Sequence, residues 1–416
     1  AWSWLQLTDV QGECILDQAF DPSRLTFNYQ TQEEVYTFVR QLCHQAIENL
    51  SRPGIDQANL ALGDAYMYNG NVEKWKKFAY SVLARSFNHL SNKVQYNKDS
   101  VIIYCDKGIK SNDDNAMVKF AFAPGGVTGT ANFMGPARNN LSSVLDGTNT
   151  AIRQSSYIVN LMTGANSAFP GVTDPRAIYM LRKNDNNTFK GVDRNKGQTA
   201  ITPAADRPQN FFGVSQATLS NTAPGNDNNC RYIFRNSVPL PVITAAEVKF
   251  MQAEALLRKG EDNNALTAYR EAISLHFDML TTTYNTNIPA GEEITTASKN
   301  AYINNTVIVP ATPGELTLTK IMLQKYIALW GIGVVETWVD MRRFHYIDPD
   351  PETSQQVYRD FVRPTGNDLH PTNNGELVYR VYPRYNSETV WNIEELKRIG
   401  ADKEDFHTKK MWFSEQ

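Results

Sequence analysis

Charge of one sign is what this sequence has least of. In 416 residues, 41 Lys and Arg stand against 44 Asp and Glu, a formal net charge of −3, with no run of Lys or Arg. A chain so balanced does not gather a polyanion through its field, which excludes nucleic acid and an anionic membrane surface as the main partner and favours neutral or polar ligands. Long apolar runs are missing too: no stretch of 18 or more apolar residues is present, so no helix of this chain spans a bilayer. Cysteine is scarce, with Cys14, Cys43, Cys105 and Cys230 far apart and never in C-x-x-C spacing. That spacing excludes a cysteine zinc site or a redox dithiol, and it leaves any disulfide pairing open.

Signatures of catalysis are also absent. The sequence contains no G-x-S-x-G elbow, no H-E-x-x-H, no P-loop and no G-x-G-x-x-G after a strand. The histidines (His44, His89, His276, His345, His370 and His407) are scattered without metal-ligand spacing. Lys183 to Gly191 carries Asp185 and Asn187, but Phe189 stands where a calcium loop needs a third oxygen ligand. The expectation is therefore a chain without catalytic residues, metal or cofactor.

What the chain does have is a helical hairpin built with small residues. Thr244 to Phe277 reads as a first helix through Val248, Phe250, Met251 and Leu257, a break at Lys259-Gly260-Glu261, and a second helix through Leu266, Tyr269 and Ile273. Ala253, Ala265 and Ala272 fall where two antiparallel helices approach closely, and Gly260 supplies the left-handed residue that stops the first. The unit is 34 residues long, the tetratricopeptide period, with small and aromatic residues in that repeat's order. One such unit cannot bury its own face and needs neighbours stacked beside it.

Four zones surround this unit. Residues 1–92 read as helical scaffold: Trp2 to Val10, Gln32 to Leu50, a turn-rich piece from Ile55 to Tyr68, and Val72 to Leu90 with Trp75, Phe78, Val82 and Phe87 on a core-facing stripe. Residues 93–243 are rich in Asn, Gly, Pro, Thr and Ser and read as a long loop-rich, ligand-facing part with a few short strands and one or two helices. Residues 244–344 hold the repeat helices, ending in one long helix from Leu316 to about Phe344, and 345–416 form a loop-rich tail. The fold class is thus mostly α, a tetratricopeptide-like scaffold carrying a long insertion, within one domain. Glu336, Asp340, Arg342 and Arg343 share one helix and form a ladder toward the repeat, where Glu247 and Glu254 share a face.

Several pieces resemble, in order, the landmarks of the SusD/RagB-like family, the surface "starch-binding" lipoproteins of Bacteroidetes that work with outer-membrane transporters. These are LQLTDVQGECILDQAF, GDAYMYNGNVEKWKKFAYSVLARSFNHL, TDPRAIYM, AAEVKFMQAEALLRKG, IMLQKYIALWGIGVVETWVDMRRF, and VYPRYNSETVWN followed by TKKMWF. They run from Leu5 to Phe413 and so cover nearly the whole chain. Gln11, Glu13-Cys14, Asn71 and Thr389 to Trp391 depart from the family pattern at packing and turn positions. The family's lipoprotein signal and lipidated cysteine, and helices ahead of the L-T-D segment, are not found before AWSWLQLTDV, so an N-terminal segment is expected to be absent from this sequence. The resemblance implies a non-catalytic oligosaccharide-binding lipoprotein on the extracellular face of the outer membrane that delivers its cargo to a SusC-like TonB-dependent transporter. Two rival readings are a peptide-binding lid of a similar transporter and a protein-only helical-repeat adaptor; a hydrolase would need a carboxylate pair in an open cleft.

A pyranose presents an apolar C–H face and a rim of hydroxyls, so a sugar binder needs an exposed aromatic ring flanked by amide, carboxylate or guanidinium groups. Three clusters in the loop-rich zone meet that description: Asn132-Phe133 with Arg138-Asn139-Asn140; Asp206-Arg207 with Asn210-Phe211-Phe212; and Asp227-Asn228-Asn229 with Arg231-Tyr232. The last two are the preferred glycan contacts.

Overall fold

The computed structural model describes residues 1–54, 57–123, 128–138, 142–143, 150–214 and 224–416. The helices follow local capping signals. α1 (Trp2–Gln11) is followed by α2 (Gln32–Ser51), which opens on a capping box between Thr31 and Glu34. α3 (Gln57–Gly63) leads to α4 (Val72–Asn88) and α5 (Lys98–Lys107), started by the side chains of Asn71 and Asn97 on the backbone N–H groups of Lys74 and Ser100. Short α6 (Ser156–Thr163) and α7 (Ala177–Met180) interrupt the irregular part. α8 (Ala245–Lys259) begins at Thr244 and ends at Gly260, in the left-handed conformation at φ 85°, before α9 (Asp262–Thr283). α10 (Thr296–Ile303), α11 (Leu318–Leu329), α12 (Val334–Arg343) and α13 (Ile393–Ile399) complete the set. Among the described residues strands are short, with Ala116–Val118 pairing antiparallel with Leu240–Ile243 and Ser142–Ser143 with Thr150–Ala151. This is the mostly α architecture expected.

The hairpin α8–α9 does not stand alone. α5 and α4 pack on one side of α8 and α11 on the other, while α2 lies against α4. α8 therefore has two apolar faces. Val248, Met251 and Ala255 enter one core with Val35, Val82 and Val101, whereas Phe250, Ala253 and Leu256 enter a second with Ala265, Tyr269 and Ile273 of α9. Neighbours on both sides explain the alanines, because a helix enclosed by others has room only for small side chains at the crossings. A third, small core of Leu396, Ile399, Ala401 and Phe406 sits under the tail.

One expectation is corrected. The segment from Leu316 to Phe344 is two helices, not one: α11 stops at Leu329 and α12 starts at Val334. Between them Gly331 takes φ 80°, and the carbonyl of Trp330 accepts the Tyr232 hydroxyl at 3.2 Å. At this break an aromatic residue of the irregular part, 98 positions away in sequence, packs against Trp330.

Candidate functional site

The densest set of titratable groups among the described residues is buried within the helical frame. Arg85 donates to Glu247 at 2.5 Å and lies 3.2 Å from Glu336; His89 Nε2 lies 2.9 Å from Glu336; Lys325 bridges Glu336 at 3.0 Å and Asp340 at 2.8 Å. Arg343 joins Asp340 at 2.6 Å to Glu254 at 2.8 Å. Glu247 and Glu254 do share a face of α8, but only Glu254 meets an arginine of α12. Arg342 leaves the ladder, donating to the backbone carbonyls of Asp9 and Tyr379 at 2.6 and 2.7 Å and lying over the Trp338 ring. Every charged member is nearly or fully buried. Burial alone would push Glu254 up, yet Arg343 and Arg258 outweigh it and hold the carboxyl far below its usual range. The network ties α4, α8, α11 and α12 together.

A second buried centre explains the D-P-R turn. Arg176 donates to both oxygens of its neighbour Asp174, at 2.9 and 2.5 Å, and to Gln324 at 2.6 Å, with His276 Nδ1 at 2.9 Å. The arginine is fully buried and fastens the irregular part to α9 and α11.

The structure buries most of the residues proposed as glycan contacts, against the exposure expected of them. Phe211 is 5% exposed, stacked on Phe234 at 4.3 Å between centroids, with Trp330 edge-on at 5.6 Å. Phe212 and Tyr232 are also buried, and Tyr232 packs on Tyr284 at 4.9 Å. Rings so enclosed have no face open to a sugar. Their polar neighbours serve the backbone. Asn210 accepts the N–H groups of Phe212 and Val214, both at 3.0 Å. Asn132 donates to the carbonyls of Ile233 and Arg235 at 2.7 and 3.0 Å, Arg231 to Leu181 at 3.1 Å, and Arg207 to Ile201 at 3.0 Å. Burial pushes the Arg231 guanidinium down to about 10. A long loop without regular pairing must satisfy its backbone with side chains and cover it with its own rings, and these residues do both. The structure does bring Asn132 together with 233–238, and 210–212 together with 229–234. Asp206 stands apart, accepting from Asn186 at 2.7 Å. Phe133, 46% exposed, and Asn228, exposed on its turn, keep open surface. Asn139 and Asn140 lie outside the described residues.

Open concave surface lies elsewhere. One cleft, of about 740 Å³, runs between the loop after α1 and residues 381–388 of the tail. Its walls carry Glu13 and Tyr29 on one side and Tyr382, Arg384, Tyr385 and Glu388 on the other. Burial, with the Glu388 carboxylate second, holds the Tyr29 phenol well above its ordinary range, so its proton stays in place to donate to Glu388 at 2.6 Å. A second, more polar cleft of about 610 Å³ includes Asp206 with Asn160, Phe189 and Asp193. Phe133 lines a third groove of about 330 Å³ beside Trp2 and Phe120. In the sequence Tyr382-Pro383-Arg384-Tyr385 stands only within a family landmark, and two tyrosines around an arginine are the signal there. Among the described residues no group of three His, Cys, Asp or Glu side chains is placed to hold a metal ion, and no helix is long and apolar enough to cross a membrane.

The sequence profile described as SusD-like, starch-binding associating with outer membrane, matches residues 1–360. Among solved structures, a SusD/RagB family protein from Bacteroides thetaiotaomicron is 22% identical, with 99% of this chain and 78% of that one covered at a TM-score of 0.65. A SusD homologue from Bacteroides fragilis is 19% identical, with 98% and 81% covered at 0.67, and a chitin-binding SusD homologue from Flavobacterium johnsoniae is 19% identical, with 99% and 80% covered at 0.61. At such identities the likeness is one of fold. No curated protein matches the chain.

Proposed function

Since the chain belongs to the SusD-like family, whose description is starch-binding and associating with the outer membrane, we propose that it is a non-catalytic glycan-binding lipoprotein that captures oligosaccharide and delivers it to a SusC-like TonB-dependent transporter. The observation that carries this reading is a division of labour within the molecule. The densest network of carboxylates and bases is buried in the helical frame, its members paired with opposite charges, while the clefts of about 740 and 610 Å³ carry tyrosines, amides and hydroxyl groups beside Glu13, Arg384 and Glu388 in the first and Asp193 and Asp206 in the second. Such clefts hold a polyhydroxylated ligand by ring stacking and hydrogen bonds and break no bond in it. The name of the chitin-binding relative supports a glycan as cargo.

In this reading the protein sits at the extracellular face of the outer membrane on a lipid anchor, and the extended surface of stacked helices packs on the transporter, as repeat scaffolds commonly do with large partners. Modest affinity suits the task, because a cargo held too tightly is not passed on. A glycan array and a peptide panel applied to the intact protein test the cargo: saturable binding to oligosaccharides is expected, and binding confined to peptides would replace it with the peptide-lid reading. Co-purification of a TonB-dependent transporter with the membrane-anchored protein tests the delivery step.

A further inference from the structure

We propose that the 740 Å³ cleft between the loop after α1 and residues 381–388 is the oligosaccharide site, and that it takes a neutral glycan lying across Tyr385 and Tyr382. This rests on the glycan-capture reading above and adds the place and the charge class of the cargo. The volume falls within the roughly 300–1,000 Å³ of ordinary small-molecule sites. Tyr385 is 80% exposed at the start of the turn Ser387–Trp391, so a full ring face is free for the C–H groups of a pyranose. Tyr382 is held edge-on against Phe406 at 6.4 Å, above the small core of Leu396, Ile399 and Phe406 that floors the cleft.

The walls are fixed before any ligand arrives. The Tyr29 backbone N–H donates to Glu395 at 2.6 Å, and its carbonyl accepts from Arg398 at 2.7 Å. Asn392 exchanges two bonds with the Phe27 backbone at 3.0 and 2.9 Å, and the Val381 N–H donates to Val10 at 2.9 Å. A ligand entering a site held this firmly loses little affinity to ordering the protein.

The polar groups suit hydroxyls. Glu13 commits Oε2 to Arg380 at 2.5 Å, and Glu388 commits Oε2 to Tyr29. The other oxygen of each carboxylate is free among the described residues and accepts from sugar O–H groups. Arg384 is exposed and lies in no ion pair among the described residues, so its guanidinium supplies donors for sugar oxygens. An acidic sugar would bring its carboxylate toward Glu13 and Glu388 with only Arg384 unengaged, which disfavours uronates.

Calorimetric titration of the intact protein with maltohexaose, chitohexaose, cellohexaose, xylohexaose and hexagalacturonate tests this. At least one neutral hexamer binds and hexagalacturonate binds more weakly; Tyr385→Ala lowers the affinity about tenfold or more and Arg384→Ala several-fold. Tyr66→Ala, which removes an exposed ring lining none of the three clefts, changes it less than twofold. Both cleft residues are exposed, so their variants fold, as near-identical thermal unfolding will show. Binding by the wild type that survives both substitutions overturns the site while leaving glycan capture intact. Preference for the uronate overturns the charge class. Absence of binding to every sugar overturns the site and the glycan-capture reading together.

Discussion

Arg343 of α12 grips Glu254 of α8 with both arms of its guanidinium, Nη1 at 2.8 Å from Oε1 and Nη2 at 2.9 Å from Oε2, in a fully buried contact spanning 89 residues of sequence. The pair links the repeat to the helix that follows the break at Gly331. Replacing Arg343 by Met leaves Glu254 and Asp340 buried beside a vacated cation, and the expected loss is about 3–5 kcal/mol in urea unfolding. Adding Glu254→Leu restores part of it, since the buried carboxylate, left with only Arg258 and Asn88 beside it, is then gone. Equal stability of the single and double variants would show that the contact carries no strain when broken.

His89 sets a pH dependence. Burial pulls its pKa down, but the carboxylates of Glu336 and Asp9 outweigh that and raise it to about 9 from an ordinary 6.5. A group raised in the folded state stabilises fully below its unfolded value and less as pH climbs through the folded one. Stability should therefore decline between about pH 6.5 and 9, and His89→Gln should flatten this limb in denaturant titrations at stepped pH.

The four cysteines are free and buried, and burial raises each thiol, Cys14 and Cys230 to about 12 and Cys43 to about 11. A thiol reagent at pH 8 should label none of Cys14, Cys43, Cys105 and Cys230 in the native protein and all four once it is unfolded, because the thiolate is the reactive form.

Stability and binding should separate between two aromatic residues. Phe211→Ala removes a ring stacked in the core and is expected to cost about 3–5 kcal/mol in urea unfolding. Tyr385→Ala touches a surface ring and should change stability by no more than about 0.5 kcal/mol while it weakens sugar binding. The reverse assignment would restore Phe211 as a ligand contact.

The parts of this fold legible in the sequence are those written locally. Thr244 caps α8, Gly260 stops it, and the alanines of the hairpin report helices on both sides, so the repeat could be read within 34 residues. The break in α11–α12 was also marked locally, by Gly331 in its left-handed conformation and Gly333 two residues on, whereas the packing of Tyr232 on Trp330 from the irregular part was not. The burial of the candidate rings was not legible because it depends on contacts distant in sequence. Asn210-Phe211-Phe212 and Arg231-Tyr232 have the composition of a sugar contact, but composition does not say whether a ring faces water, and here Phe234, Tyr284 and Trp330 cover them. The open cleft joins Tyr29 to Glu388 across 359 residues, a juxtaposition that no local spacing displays.

The central claim, that the chain holds a glycan without altering it, is tested most directly by titrating the intact protein with neutral hexasaccharides and analysing the recovered sugar by chromatography. Saturable heat with every hexamer recovered at full length is the predicted result. Either silence across all the sugars or the appearance of shorter products would contradict it.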